Sequence, residues 1–166
     1  MNIGITRARG EVIVRFDAHA QYAADYISRC VQVLGETGAV NVGGPMRPVG
    51  TNAFGRAVAA VTTSPIGVGP GRFHYSEVRE EVDTVFLGCW RRDDLQDVGG
   101  FDQESIQWAA EDHELNLRLR QRGGRIVLDP TIHSTYFPRD TPRGLAQQYF
   151  NYGMGKASTL RTHRRL

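Results

Sequence analysis

Two short acidic clusters hold the residues best suited to chemistry: Asp17-Ala18-His19 and Glu111-Asp112-His113-Glu114-Leu115. The first follows a run, Glu11-Val12-Ile13-Val14-Arg15-Phe16, that reads as a buried strand. A carboxylate and an imidazole two residues apart can face one divalent ion, and manganese or magnesium suits a diphosphate-bearing partner. The plainer reading is a turn or cap Asp beside a structural His. The second cluster stands at a helix start, where the helix dipole favours carboxylates whatever their role. In the functional reading, one carboxylate accepts a proton from an attacking hydroxyl. Glu114 has Arg118 four residues on, and this reads as an ordinary helix-surface pair.

Elements able to position these clusters are legible from periodicity. A helix is predicted over residues 21–34, with Tyr22, Ala23, Tyr26, Ile27, Cys30, Val31 and Leu34 on one face and Gly38 as its C-terminal stop. Ala39 to Val42 is a short strand, and Phe54, Ala57, Val58 and Val61 mark a second helix. Ser64 to Gly71 is dense in Pro and Gly and reads as a mobile loop. Strands are predicted at Val82–Leu87, Arg125–Leu128 and Ile132–Tyr136. Helices are predicted at Arg91–Val98, from about Ala110 to Arg122, and from Pro142 to about Leu160. Strands alternating with helices give an α/β fold.

Composition narrows the class. At 166 residues the chain is a single domain or a large piece of one. A net charge of +2 excludes a strongly basic nucleic-acid binder. Cys30 and Cys89 provide neither a disulfide framework nor zinc-ligand spacing. No apolar run is long enough to span a bilayer, and Met1–Gly10 lacks the apolar core of a secretion signal. Cytoplasmic placement, at the inner face of the membrane, is the resulting expectation. The basic end, with Arg161, His163, Arg164 and Arg165, reads as a tail over about 157–166 that is either solvated or resting on anionic lipid.

Three further segments allow two readings each. Trp90, in Gly88-Cys89-Trp90-Arg91-Arg92, either packs in the core or offers its face to a sugar ring. Gln147-Gln148-Tyr149-Phe150-Asn151-Tyr152-Gly153 is either core packing or a wall of the site. Gly99-Gly100-Phe101-Asp102 reads as a structural turn leading to the acidic pair.

In order, strand-Asp-Ala-His, Gly-Gly-Pro, Val-Asp-Thr-Val-Phe-Leu-Gly, Gly-Gly-Phe-Asp, Glu-Asp-x-Glu-Leu, Tyr-x-Pro-Arg and Gln-Tyr-Phe-x-Tyr-Gly resemble glycosyltransferase family 2. The likeness is greatest to the bacterial branch that builds succinoglycan-like exopolysaccharides, and it runs from Asn2 to about Lys156. The resemblance implies the C-terminal portion of a GT-A fold, a mixed sheet flanked by helices, lacking the N-terminal nucleotide-binding strands. It implies an inverting transferase that moves a sugar from a nucleotide-sugar, of the UDP type, to a hydroxyl on a glycan or lipid-linked acceptor. Asp17 and His19 match the metal and diphosphate motif, with Mn2+ or Mg2+ as the ion. Asp112 matches the catalytic base and Glu111 its acidic neighbour near the acceptor. Gly88, Trp90, Gln148 and Tyr149 fall on the acceptor side. The Gln-x-x-Arg-Trp motif of processive relatives has no Arg-Trp here, which points to transfer of a single sugar. The contrasting expectation is a non-catalytic remnant that binds a partner or copies of itself, because absent neighbouring strands leave a sheet edge near Asn2 to Phe16 open to homo-oligomers.

Overall fold

The protein is described from a computed structural model, which covers residues 1–104, 109 and 111–163. Helix α1 (Asn2–Arg7) leads to strand β1 (Val12–Val14) and, past a turn at Asp17, to β2 (Ala20–Tyr22). Then come α2 (Tyr26–Thr37), β3 (Asn41–Gly44), β4 (Arg47–Pro48), α3 (Ala53–Thr62) and α4 (Pro65–Val68). After a 3-10 turn (Arg72–His74) follow β5 (Glu80–Glu81), β6 (Phe86–Arg91), α5 (Arg92–Asp97), α6 (Glu111–Gln121), β7 (Ile126–Leu128), β8 (Ser134–Tyr136) and α7 (Pro142–His163).

Five strands form a mixed sheet in the order β1-β6-β3-β7-β5. Only the β3–β7 pair is parallel. A smaller sheet, β2-β8-β4, stands beside it. Side chains alternate across a strand, so each strand of the large sheet feeds two cores. Val12, Val14, Val42 and Cys89 point to α2, which buries Tyr26, Cys30, Val33 and Leu34 at helical spacing. Ile13 and Trp90 point to the other face, against Ile5, Leu95, Leu115 and Leu119 from α1, α5 and α6 and against Phe101 after α5. Each such fully buried aliphatic contributes roughly 1.5–3 kcal/mol. Gly38 ends α2 at φ 63, as its position in the sequence predicts.

Four local expectations are corrected. The helix predicted from residue 21 starts at Tyr26, because Ala20–Tyr22 pair with Ser134–Tyr136 as a strand. The run Val82–Leu87 is not one strand. β5 precedes it, the Thr84 hydroxyl accepts from Asn116 Nδ2, and β6 begins only at Phe86. Within β6, Leu87 (φ 64) and Gly88 (φ 38) take left-handed conformations, and a Cβ on Gly88 would lie 2.2 Å from the Trp90 ring. The Ser64–Gly71 segment contains helix α4, started by the Ser64 hydroxyl accepting from the Ile66 N–H. Asn2–Arg7, expected to belong to an open sheet edge, is a helix anchored by the Asn2 side chain to both backbone groups of Phe101. Helix α7 runs to His163 and so takes in residues 157–163 of the basic end. Arg164 and Arg165 lie outside the described residues, as does Ala110 at the expected start of α6.

Candidate active site

The alternation of β1 continues past its last ladder residue. Ile13, Arg15 and Asp17 share the face turned to α6, and the Arg15 N–H still donates to the Gly88 carbonyl at 3.2 Å. Arg15 forks the Asp17 carboxylate, with Nε 2.9 Å from Oδ1 and Nη2 3.3 Å from Oδ2. Its Nη1 lies 3.0 Å from Oε1 of Glu111, in a charge contact without hydrogen-bond geometry. Burial works to lower the Arg15 pKa. The Asp17 hydrogen bond and the charges of Asp112, Asp17 and Glu111 outweigh it and hold the pKa above its ordinary value. One guanidinium thus joins the end of β1 to the head of α6.

The turn after β1 is fixed by Tyr22. Its hydroxyl accepts from the Asp17 N–H at 2.6 Å and donates to the Asp17 carbonyl at 3.2 Å. His19 is exposed on the same turn, and its ring meets Tyr136 edge-on, with centroids 5.6 Å apart. The Tyr136 hydroxyl accepts from Gln148 Nε2 at 2.9 Å, and that amide also donates to the Tyr152 hydroxyl at 3.0 Å. Gln148 therefore ties α7 to the Asp17–His19 turn through Tyr136.

At the head of α6, Asp112 has a raised pKa. Burial is the chief cause and the Glu111 charge adds to it, while Arg15 and the His113 N–H pull the other way. A carboxylate raised toward neutrality is better matched to accepting a proton than an ordinary one. Tyr152 feels the Asp112 charge as well. Its pKa is pushed up to about 12 by burial, then by Tyr136 and Asp112, which keeps the phenol protonated.

Two buried networks hold α6 in place. Asn116, one turn after Asp112, accepts from Asn41 Nδ2 and donates to Thr84 Oγ1, each at 2.8 Å, while Asn41 Oδ1 accepts from the Cys89 N–H at 3.1 Å. Leaving one such buried group unpaired costs about 1–3 kcal/mol. Glu114 is not the surface residue its spacing implies. Its side chain is 1% exposed, bridged by Arg118 at 2.6 and 2.7 Å and met by His163 Nε2 at 2.8 Å. Arg118 also donates to the Val98 and Gly100 carbonyls, so Glu114 locks α6 to the Gly99-Gly100 turn and to the end of α7.

Asp17, Glu111 and Asp112 thus gather around Arg15, and His19 and Gln148 stand behind them on Tyr136. Trp90 is 2% exposed in the α6-side core, where its ring meets Phe101, so the sugar-stacking reading gives way to packing. Gly88 serves that packing by leaving room for the indole. Tyr149 is exposed and turned toward α3. Arg15 and the Asn41–Asn116–Thr84 network were not among the expected site residues, and Tyr152 was expected only as part of a segment that either packs in the core or walls the site. Arg15 had a visible signal, a charge inside an apolar strand run two residues before Asp17.

Among the described residues, no group of three or more His, Cys, Asp or Glu is arranged to hold a metal, and no helix is long and apolar enough to cross a membrane.

The chain is 32% identical over 157 residues to the succinoglycan biosynthesis protein ExoA of Rhizobium meliloti (strain 1021), covering 95% of this chain and 47% of that protein. It is 25% identical over 166 residues to a dolichyl N-acetyl-alpha-D-glucosaminyl phosphate 3-beta-D-2,3-diacetamido-2,3-dideoxy-beta-D-glucuronosyltransferase of Methanococcus voltae, covering 96% and 51%. The chain thus spans about half the length of these curated relatives. The fold is similar to GalNAc-T7, crystallised with UDP, GalNAc and Mn2+, at a TM-score of 0.61 and 15% identity, covering 87% of this chain and 32% of that one. The fold is therefore α/β of the GT-A type, as the motif order implied. The model of glycosyl transferase family 2 matches residues 1–93, more than half of the chain, and the chain belongs to that family.

Proposed function

We propose that this chain forms the acceptor-side catalytic portion of an inverting glycosyltransferase. It would move a sugar from a nucleotide-sugar, of the UDP type, to a hydroxyl of a glycan or lipid-linked acceptor in exopolysaccharide or cell-surface glycan synthesis. The observation that carries this reading is the Arg15 bridge, which draws Asp17 and Glu111 to one guanidinium beside Asp112. The names of the relatives supply the substrate class.

In this reading Asp112 takes the proton of the acceptor hydroxyl as that oxygen attacks the anomeric carbon from the face opposite the diphosphate. A single displacement inverts configuration at that carbon. The charge of Arg15 opposes the rise that burial and Glu111 impose on the Asp112 pKa. The protonated phenol of Tyr152, steadied by Gln148, provides a hydrogen-bond donor near Asp112.

A divalent ion fits in a limited way. Asp17 and His19 offer one carboxylate and one imidazole on a single turn, and Arg15 already engages the carboxylate. Magnesium-type sites commonly use one or two protein ligands and complete the shell with substrate phosphate and water. Asp17 and His19 would hold the ion, and when bound it would offset charge on the departing diphosphate. The proposal is tested by calorimetric titration of Mn2+ and UDP. Saturable UDP binding that requires Mn2+ and disappears in Asp17→Asn is expected. Binding that is equal in the variant would remove Asp17 from the donor site.

A further inference from the structure

Lys156 is the only lysine of the chain, and it stands on α7 one turn beyond Tyr152. Helix α7 runs along α6. Gly155 and Thr159 are buried, and a Cβ on Gly155 would lie 1.8 Å from the carbonyl oxygen of Ala109, just before α6. Further on, His163 meets Glu114. Residues four apart share a helix face, so Lys156 continues the face on which Tyr152 sits. Its side chain is exposed, and among the described residues no carboxylate pairs with it.

Two half-buried imidazoles flank this lysine. His113 follows Asp112 on α6, and His74 ends the 3-10 turn. The His74 ring lies against Phe73, with centroids 4.1 Å apart, and its Nδ1 is buried without a hydrogen-bond partner. Burial, and then the charge of Lys156, pull the His74 pKa down to about 4. Burial also lowers the pKa of His113. Asp83 and Asp112 oppose that fall, and Lys156 and Arg120 add to it. Lys156 thus acts on both rings, and both are neutral at neutral pH. An ammonium and two neutral imidazoles offer N–H donors from three separate elements. Such a set suits an anion, since lysine partners phosphate as a point charge and an imidazole N–H donates to a phosphate oxygen.

Position along α7 separates this anion from the diphosphate of the donor. Gln148 reaches the Asp17–His19 turn through Tyr136, Tyr152 feels the charge of Asp112, and Lys156 acts on His113 and His74. From Gln148 to Lys156 the helix rises about 12 Å, with Tyr152 midway. The donor turn therefore lies at one end of this row, Lys156 at the other, and Asp112 between them. From Tyr152 to Lys156 the rise is about 6 Å, which one sugar ring can span.

We infer that Lys156, with His74 and His113, holds the phosphate of a glycosyl phosphate acceptor whose sugar hydroxyl lies at Asp112. The acceptor role rests on the transferase reading, whereas the anion site rests on the three side chains themselves. Lys156 and the two imidazoles bind the phosphate and take no part in moving the hydroxyl proton.

The test is a titration of the full chain, without metal, with glucose 1-phosphate, inorganic phosphate and glucose. It is followed by the proton NMR signals of the histidine C2 positions at neutral pH and constant ionic strength. His74→Gln and His113→Gln assign the two signals. Both phosphate compounds should shift them saturably and leave that of His133 in place, and glucose should shift neither. Lys156→Gln, at an exposed side chain, should weaken glucose 1-phosphate roughly tenfold or more, and Arg161→Gln, further along the same helix, should bind as the parent does. Circular dichroism of both variants confirms that the fold is intact. UDP with Mg2+, which does not broaden the signals, should not displace glucose 1-phosphate. No saturable shift of the two signals, or equal affinity in Lys156→Gln, removes the site. An equal loss in Arg161→Gln reduces it to general basic charge. Displacement by UDP with Mg2+ gives Lys156 to the donor diphosphate and overturns the acceptor role. A chain that binds glucose 1-phosphate through Lys156 but binds no UDP keeps the anion site, and the failure is then that of the transferase reading alone.

Discussion

Arg15 and Glu111, ninety-six positions apart in sequence, stand 3.0 Å from one another, and the same guanidinium forks Asp17. The charge of Arg15 lowers the pKa of Asp112 against the larger effect of burial. Removing that charge should raise it further. A base works only when ionised, so the rise of turnover with pH should move to higher pH in Arg15→Met. Arg15→Lys, which keeps the charge but not the fork, should shift it less. A pH–rate profile of the two variants that overlays the parent would show that Arg15 does not tune the base.

Asp112→Asn should lose about a hundredfold to ten-thousandfold in turnover while binding UDP as the parent does, because only the proton acceptor is removed. Glu111→Gln should lose less, since Glu111 acts on Asp112 through charge. Near-normal sugar transfer by Asp112→Asn would exclude it as the base.

Glu114 should matter to stability. Replacing Glu114 by Ala leaves Arg118 without the carboxylate that it bridges and frees the end of α7 at His163. Breaking a buried pair from one side typically costs about 3–5 kcal/mol. Urea unfolding followed by circular dichroism should show a midpoint well below that of the parent. A midpoint within error of the parent would place the locking of α6 elsewhere, with the Asn41–Asn116–Thr84 network as the next candidate.

Strand β1 forms one border of the five-stranded sheet, paired on one side with β6. Such a border invites pairing with another chain. We expect self-association through Val12–Val14, since Asn2–Arg7 is helical and anchored to Phe101. Light scattering at micromolar concentration should give a mass above 18.5 kDa. A monomer mass across the accessible concentration range would discard this expectation.

The sequence by itself determined the α/β class, the strand that precedes Asp17, the helix that begins with the acidic cluster, and the order of motifs that marks the family. These follow from local periodicity and from residue types whose spacing is fixed by a single element. Tertiary structure decided what those elements meet. Trp90 reads alike as a core residue or a sugar platform until the sheet faces are assigned, and the alternation from Cys89 to Trp90 then buries it against Phe101. Glu114 and Arg118 share a helix face in any case, but only the packing of α7 and the Gly99-Gly100 turn makes that face an interior one. The Arg15–Glu111 contact joins two elements that no local pattern relates. It exists because β1 and α6 pack on one side of the sheet, where a buried guanidinium must find carboxylates to offset its charge.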